Sequence, residues 1–180
     1  MQALEDKDEN KIKYVLEHEP VIDALEEDIT RYLTKMSEKE MGAELSAMHT
    51  RLLHACTDIE RIGDHGEALA KDARRMFEDD VKFSEEAKTE LRALGELVMQ
   101  ASGKAMEALA NNDKVLAQEA WDICRQVKKA QKEIRKNHIV RLNEKRCDPV
   151  AGFMMMEILI NLKRVSDHSK NISQIVLGIF

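Results

Sequence analysis

An apolar seam with the spacing of an α-helix constrains this chain more than any other feature of its sequence. Apolar or small residues recur at intervals of three and four through Leu45, Met48, Leu52, Ala55/Cys56, Ile59, Ile62, Gly66, Leu69, Ala73 and Met76. This period belongs to a helix with one apolar face, whereas a half-buried strand alternates at every second residue. The seam therefore predicts a long helix over residues 43–77 that packs against another helix.

The rest of the chain extends this reading to an all-α fold. Aromatic residues make up 4% of the sequence, and there are seven Gly and two Pro, which is typical of helical bundles. Four further helices are predicted over residues 8–36, 85–110, 113–144 and 149–178. Their ends carry expected caps at Ser84, Asp113, Asp148 and Gly178, with Pro149 at a first helical position. Pro20 lies inside the first helix and is expected to kink it.

The net charge and the cysteine content limit the possible partners and the cellular location of the chain. The net charge is −6, so nucleic acid is not an expected partner, and Cys56, Cys124 and Cys147 form no CxxC pair. We expect reduced thiols, a cytoplasmic location and no segment that crosses a membrane, since no apolar run reaches the ~20 residues required. Residues 125–146 carry nine Lys or Arg. This basic segment is either a solvated helix face or a contact for an acidic partner, anionic lipid or phosphate.

Three carboxylates break the local rules of the second helix. Glu60, Asp64 and Glu67 stand at i, i+4 and i+7 on one helix face, where like charges repel one another. Gly63 and Gly66 lie in the same stretch, and a mid-helix glycine costs about 1 kcal/mol relative to alanine. A helix that accepts both penalties indicates a ligand or a closely packed helix nearby.

A second acidic pair makes this stretch a candidate metal site. Glu19 and Asp23 repeat the spacing of Glu60 and Asp64, and a short turn makes the two helices antiparallel neighbours. Four carboxylates on one surface attract a hard cation, and oxygen ligands favour Mg, Ca, Mn or Fe. The alternative is an acidic face that is only solvated.

The chain contains an internal repeat. Residues 1–4 resemble residues 106–109, and Asp8 then matches Asp113 at the same offset of 105 residues. Residues 161–171 repeat part of the acidic stretch at an offset of 103. We divide the chain into a first repeat of two helices, residues 1–80, and a second repeat of three helices, residues 81–180. The first repeat lacks its first helix, either because the chain is excised from a longer protein, which we prefer, or because another subunit fills the gap.

The second repeat has lost most of the acids of the candidate site. Glu19 and Asp23 correspond to Cys124 and Lys128, and Glu60 corresponds to Lys163, while Asp167 alone keeps the acid of Asp64. Asp167 is therefore at most a degenerate second metal site, and it is expected to pair with Lys163. His65 and His168 follow the two motif aspartates, and we interpret both as packing histidines bonded to a neighbouring helix.

At these residues the chain resembles the PhoU family. The resemblance rests on Glu-Arg-Ile-Gly-Asp-His at 60–65 and Arg-Val-Ser-Asp-His-Ser-Lys-Asn-Ile at 164–172. It implies tandem three-helix bundles and an accessory, regulatory role in phosphate uptake without catalysis. It also implies metal clusters bound by paired acidic motifs, which Glu19, Asp23, Glu60 and Asp64 match. Asn171 keeps a family asparagine that is Ala68 in the first repeat.

The run Asp28-Ile-Thr-Arg-Tyr-Leu-Thr-Lys-Met-Ser37 looks most like the PhoU-type domain that follows the membrane segment of bacterial sodium/phosphate cotransporters. This implies a place at the inner face of the cell membrane, with the transporter's membrane domain or other phosphate-uptake proteins as partners, and it leaves a homo-oligomer open. Two alternatives are a structural helical adaptor without metal and a ferritin-like di-iron enzyme. The enzyme needs Glu-x-x-His motifs, and no His in this chain follows an acid at that spacing.

Overall fold

A computed structural model describes residues 8–37 and 40–179, which form five α-helices and no strand. The helices are α1 (Glu9–Ser37), α2 (Ala43–Glu78), α3 (Glu85–Asn111), α4 (Lys114–Asn143) and α5 (Pro149–Leu177). Each end lies within one residue of its predicted position, so the all-α prediction is confirmed. Residues 1–4, which carry part of the repeat, and two residues of the turn after α1 lie outside the described residues.

Side-chain caps set the helix starts where the sequence predicts them. The Ser84 hydroxyl accepts a hydrogen bond from the Ala87 N–H at 3.2 Å. Asp113 and Asp148 each accept from two backbone N–H groups of the first turn that follows. These bonds satisfy donors that have no partner inside the helix. At the other end of α5, Gly178 adopts a φ of 74°, which glycine accepts without a steric penalty.

Two helical units meet along α5. The helices α3, α4 and α5 all pack against one another, α1 packs on α2, and α2 packs on α5. Small residues of α3 and α4 are fully buried, which lets the helix axes approach closely: Ala101, Ala105, Ala108, Ala117 and Ala120. The main core forms around Met155, Ile158 and Leu159 of α5. The division of the chain into two repeats near residue 80 stays a prediction.

The first helical pair leaves part of its apolar surface uncovered. The α2 seam is buried or half-buried from Ala55 onward, but Leu45, Met48 and Leu52 are 47, 52 and 39% exposed. In the second repeat the positions 103 residues after Met48 and Leu52, Ala151 and Met155, are 2 and 1% exposed. There α3 packs against both α4 and α5. No described helix takes the corresponding place beside α1 and α2.

Two further predictions concern α1 and the membrane. The helix α1 runs without interruption through Pro20, whose ring removes one backbone hydrogen bond; the kink itself stays a prediction. None of the helices in the described part of the chain combines the length and apolar character required to cross a membrane.

Candidate metal site

The helices α1 and α2 approach closely beside the acidic stretch. A Cβ atom built on Gly63 would lie 3.2 Å from Cδ1 of Ile22, tighter than ordinary van der Waals contact. A Cβ on Gly66 would meet no atom within 4 Å. The close-helix explanation therefore holds for Gly63, and Gly66 faces open space.

The approach gathers carboxylates from both helices. One oxygen each from Glu19, Asp23 and Asp64 lie within 4.8 Å of one another. Glu60 stands outside this group of three, but its pKa responds to Asp64 and Asp23, which places it at the edge of the same cluster. The structure thus brings together the acids of α1 and α2 that the sequence predicted as one site, with Glu60 in a flanking position.

Burial and mutual repulsion oppose ionisation at this cluster. The pKa of Glu19 is raised above its ordinary value, first by burial and then by the charges of Asp23, Glu67 and Asp64. The pKa of Glu60 is raised by burial and by Asp64, and the nearby Arg61 guanidinium acts in the opposite direction. Without a cation the site therefore carries unfavourable negative charge.

Only part of that charge is balanced by basic side chains. The Arg61 guanidinium donates to Asp64 at 2.9 Å and approaches Glu60 at 3.5 Å. Lys71 pairs with Glu67 at 2.5 Å. Glu19 and Asp23 have no salt bridge to a basic residue in the described part of the chain. The α1 half of the cluster therefore has the larger charge imbalance.

The donor set suits a hard metal ion. All the candidate ligand atoms are carboxylate oxygens, which favour Mg, Ca, Mn or Fe over copper or zinc-thiolate chemistry. Opposite ligands of a Ca²⁺ ion lie about 4.6–5.2 Å apart, so three oxygens within 4.8 Å of one another can share one ion. Asp23 is exposed, which leaves one side of the group open to solvent.

Among the described residues of the second repeat, the corresponding surface has no comparable acid cluster. Asp167 pairs with Lys163 at 2.5 Å, as the sequence predicted. Cys124, at the position of Glu19, is buried, and burial raises the pKa of its thiol. A lysine paired with the surviving acid and a protonated thiol give a cation little to bind, and a degenerate metal site at Asp167 stays a prediction.

The two motif histidines hold α2 against α5. His168 Nδ1 bonds Asp58 at 2.8 Å, and the Asn171 amide donates to the same carboxylate oxygen at 3.0 Å. His65 Nδ1 bonds the Asn161 amide oxygen at 3.0 Å. The two imidazole rings stack with centroids 5.7 Å apart. The structure confirms the interpretation of both as packing histidines.

Sequence reasoning missed the acids that complete this network. Asp58 is only 8% exposed, and Asp72 accepts from the Asn161 amide at 3.3 Å. Burial raises the pKa of Asp72, and the charge of Glu157 adds to that effect. Both acids stand one position before a seam residue, Ile59 or Ala73, which places them beside the face that packs on α5. Their position next to the seam was the sequence signal that could have identified these two acids as buried hydrogen-bond partners.

The fold and the site define a class of protein: tandem helical bundles with a carboxylate cluster between the first two helices. A family model described as the PhoU domain matches residues 1–73 and 91–176, so the chain belongs to the PhoU domain family.

Curated relatives and solved structures agree with this assignment. A phosphate-specific transport system accessory protein PhoU homolog from Thermotoga maritima is 26% identical over 99% of this chain and 77% of its own length. A Pseudomonas aeruginosa homolog is 25% identical over 98% and 73%. The crystal structure of PhoU from Pseudomonas aeruginosa matches with a TM-score of 0.90, at 23% identity, over 99% of this chain and 85% of that one. A regulatory PhoU structure from Streptococcus pneumoniae gives a TM-score of 0.83 at 19% identity, over 98% and 82%. At these identities the two structures support the fold.

Proposed function

We propose that this chain is a non-catalytic regulatory module of phosphate uptake that carries a metal site on its first repeat. The regulatory role is supported by family membership and by relatives that are named as accessory proteins of phosphate transport. No nucleophile–base pair or Gly-rich phosphate loop occurs in the sequence. Turnover of a phosphate ester that a Glu60→Ala substitution abolishes would contradict the non-catalytic role.

The observation that carries the metal assignment is the group formed by Glu19, Asp23 and Asp64. Their oxygens converge from two helices, and the pKa of Glu19 is raised by burial and then by the charges of Asp23, Glu67 and Asp64, which supports a site that favours a cation. A divalent or ferric ion would relieve this repulsion and link α1 to α2. Glu60 would support the site from its edge.

We further propose that the module works as the cytoplasmic PhoU-like part of a sodium/phosphate cotransporter, at the inner face of the cell membrane. The support is the resemblance of residues 28–37 to that branch of the family. The relatives described above are accessory proteins, so this placement depends on that run alone. The transporter's membrane domain or other phosphate-uptake proteins would be the partners.

A structural adaptor without metal is the competing function. It is favoured by the exposure of Asp23 and by the salt bridges of Asp64 and Glu67, because exposed acids are commonly only solvated. Metal analysis of protein purified without chelator separates the two functions. The proposal expects bound Fe, Mn, Mg or Ca that is lost in a Glu60→Ala, Asp64→Ala double variant. Unchanged metal content and unchanged thermal stability in that variant would support the adaptor.

A further inference from the structure

The outer face of α4 carries a group of cations without acidic partners. Its members are exposed and make no salt bridge to any described residue: Lys128, Lys129, Lys132, Arg135 and Lys136. By contrast, Arg125 pairs with Asp122, and Arg141 pairs with Glu90 across the α3–α4 interface. We call the five unpaired residues, together with Ile139 and Val140, the basic face of α4.

The basic face is the solvent side of a helix whose other side is fixed in the core. The α4 residues Val127, Ile134 and His138 are 0, 6 and 1% exposed, so the bundle sets the direction of the helix and of its outer surface. From Lys128 to Val140 the face extends for about 18 Å along the helix axis. It is therefore a rigid, preformed strip of positive charge.

The charge of this strip is opposite to that of the remaining chain. Residues 125–146 contain nine Lys or Arg and two acids, Glu133 and Glu144, a net charge of +7. Because the whole chain carries −6, the other residues together carry −13. Such a separation of charge orients the molecule towards a negative surface with α4 foremost.

Apolar side chains are interleaved with the cations. Ile139 is 48% exposed and Val140 is 42% exposed, and both line one shallow depression with Lys129, Lys132, Arg135 and Lys136. Glu133 is the one acid among the residues that line this depression, so the lining keeps a net positive charge. Basic side chains around exposed aliphatic groups are the composition of helices that lie on anionic bilayers. A single bound phosphate would need convergent donors, whereas these cations are spread over about two turns, or about 12 Å, of the helix.

We propose that the basic face of α4 docks on the surface of an anionic lipid bilayer. The cations would contact lipid phosphates, and Ile139 and Val140 would contact the outer part of the acyl region. This inference goes beyond the proposed function, because it uses neither the carboxylates of the first repeat nor a metal ion.

Sedimentation of the full chain with lipid vesicles tests the proposal, in buffer that contains chelator so that the metal site plays no part. We expect binding to vesicles of phosphatidylcholine mixed with phosphatidylglycerol, and little binding to phosphatidylcholine alone. Binding should weaken as salt rises. The triple variant Lys129→Glu, Lys132→Glu, Lys136→Glu should bind at least about tenfold more weakly.

A matched triple variant controls for net charge. Lys13→Glu, Lys35→Glu and Lys114→Glu make the same change at exposed lysines elsewhere and should leave vesicle binding largely unchanged. Ile139→Ser with Val140→Ser should weaken binding while the cations remain. Circular dichroism establishes that each variant keeps its helices.

Three results would overturn the proposal. The first is equal binding to neutral and anionic vesicles, and the second is equal loss in the two triple variants. The third is tight binding to polyglutamate without any binding to vesicles, which would assign the face to an acidic polypeptide.

Discussion

Gly63 of α2 lies directly against Ile22 of α1, so closely that a Cβ atom on the glycine would stand 3.2 Å from Ile22 Cδ1. The residue after this glycine is Asp64, and Ile22 is followed by Asp23. The contact between the two apolar positions therefore brings the two acids together. Gly63 lowers the helix propensity of α2, but its lack of a side chain allows the close helix contact beside which the acids of the candidate site lie.

The two glycines of the acidic stretch should respond differently to alanine. Gly66→Ala meets no atom within 4 Å, so it should raise the free energy of unfolding by up to about 1 kcal/mol through helix propensity alone. Gly63→Ala should raise the free energy of unfolding clearly less than Gly66→Ala does, or lower it, because Ile22 has to shift to admit the new methyl group. Chemical denaturation of both variants checks this, and equal gains would contradict the close approach of α1 and α2.

The Asp58–His168 bond should be a strong link between α2 and α5. Asp58→Ala removes the acceptor of both His168 and Asn171, and we expect a loss of about 1–3 kcal/mol in unfolding free energy. A double-mutant cycle with His168→Ala should give a coupling energy above about 0.5 kcal/mol. Additive effects of the two substitutions would show that the bond contributes nothing.

The Glu90–Arg141 pair should contribute more to the stability of the fold than the exposed salt bridges do. Arg141 is 7% exposed in its side chain, and Glu90 accepts from both Arg141 and Asn137. Glu90→Ala leaves a buried guanidinium without its acid, and we expect it to cost about 2–3 kcal/mol. Glu85→Ala is the control, since Glu85 is 87% exposed in its pair with Lys88. Comparable losses in thermal unfolding would contradict the distinction.

The metal-free protein should become more stable when Glu19 cannot ionise. The folded-state pKa of Glu19 is raised, by burial first, above its ordinary value of 4.5. Such a carboxyl lowers the unfolding free energy as pH rises from 4.5 through the folded pKa, and it has no effect on stability below that range. In chelator at neutral pH, Glu19→Gln should raise the Tm by about 1 °C, because it removes the cost of burying a charge and then the repulsion from Asp23.

Glu27→Gln is the matched control on the same helix. Glu27 is 78% exposed and lies 3.7 Å from Arg31, so its neutralisation should not raise the Tm. The advantage of Glu19→Gln should also shrink as the pH falls to 4.5 and vanish below it, where the wild-type carboxyl is protonated in both the folded and the unfolded state. An advantage that persists unchanged in acid would contradict an electrostatic origin.

The sequence predicted the helices well because their signals are local. The apolar spacing from Leu45 to Met76 and the caps at Ser84, Asp113 and Asp148 each act within a few residues. The burial of a helix face by a neighbouring helix is not a local property. The exposure of Leu45 and Met48 therefore depends on which helix packs over them. Periodicity identifies an apolar face but cannot identify what covers it.

The sequence identified the acids of the candidate site, but it did not show how they are arranged around one another. Spacing within each helix paired Glu19 with Asp23 and Glu60 with Asp64, whereas the rotation of α1 against α2 decided that Asp64 faces the α1 pair and Glu60 flanks it. The Asp58 network joins residues 110 and 113 positions apart, and no pattern within one helix reveals such a partner.

Isothermal titration calorimetry of Mn²⁺ binding to chelator-treated protein tests most directly the central claim, which is a metal site between α1 and α2. We predict saturable binding to the wild-type chain, the same binding to Asp167→Asn, and loss of at least about tenfold in affinity for Glu19→Gln with Asp64→Asn. Equal affinity in the double variant, or no binding to the wild-type chain, would contradict a metal site between α1 and α2.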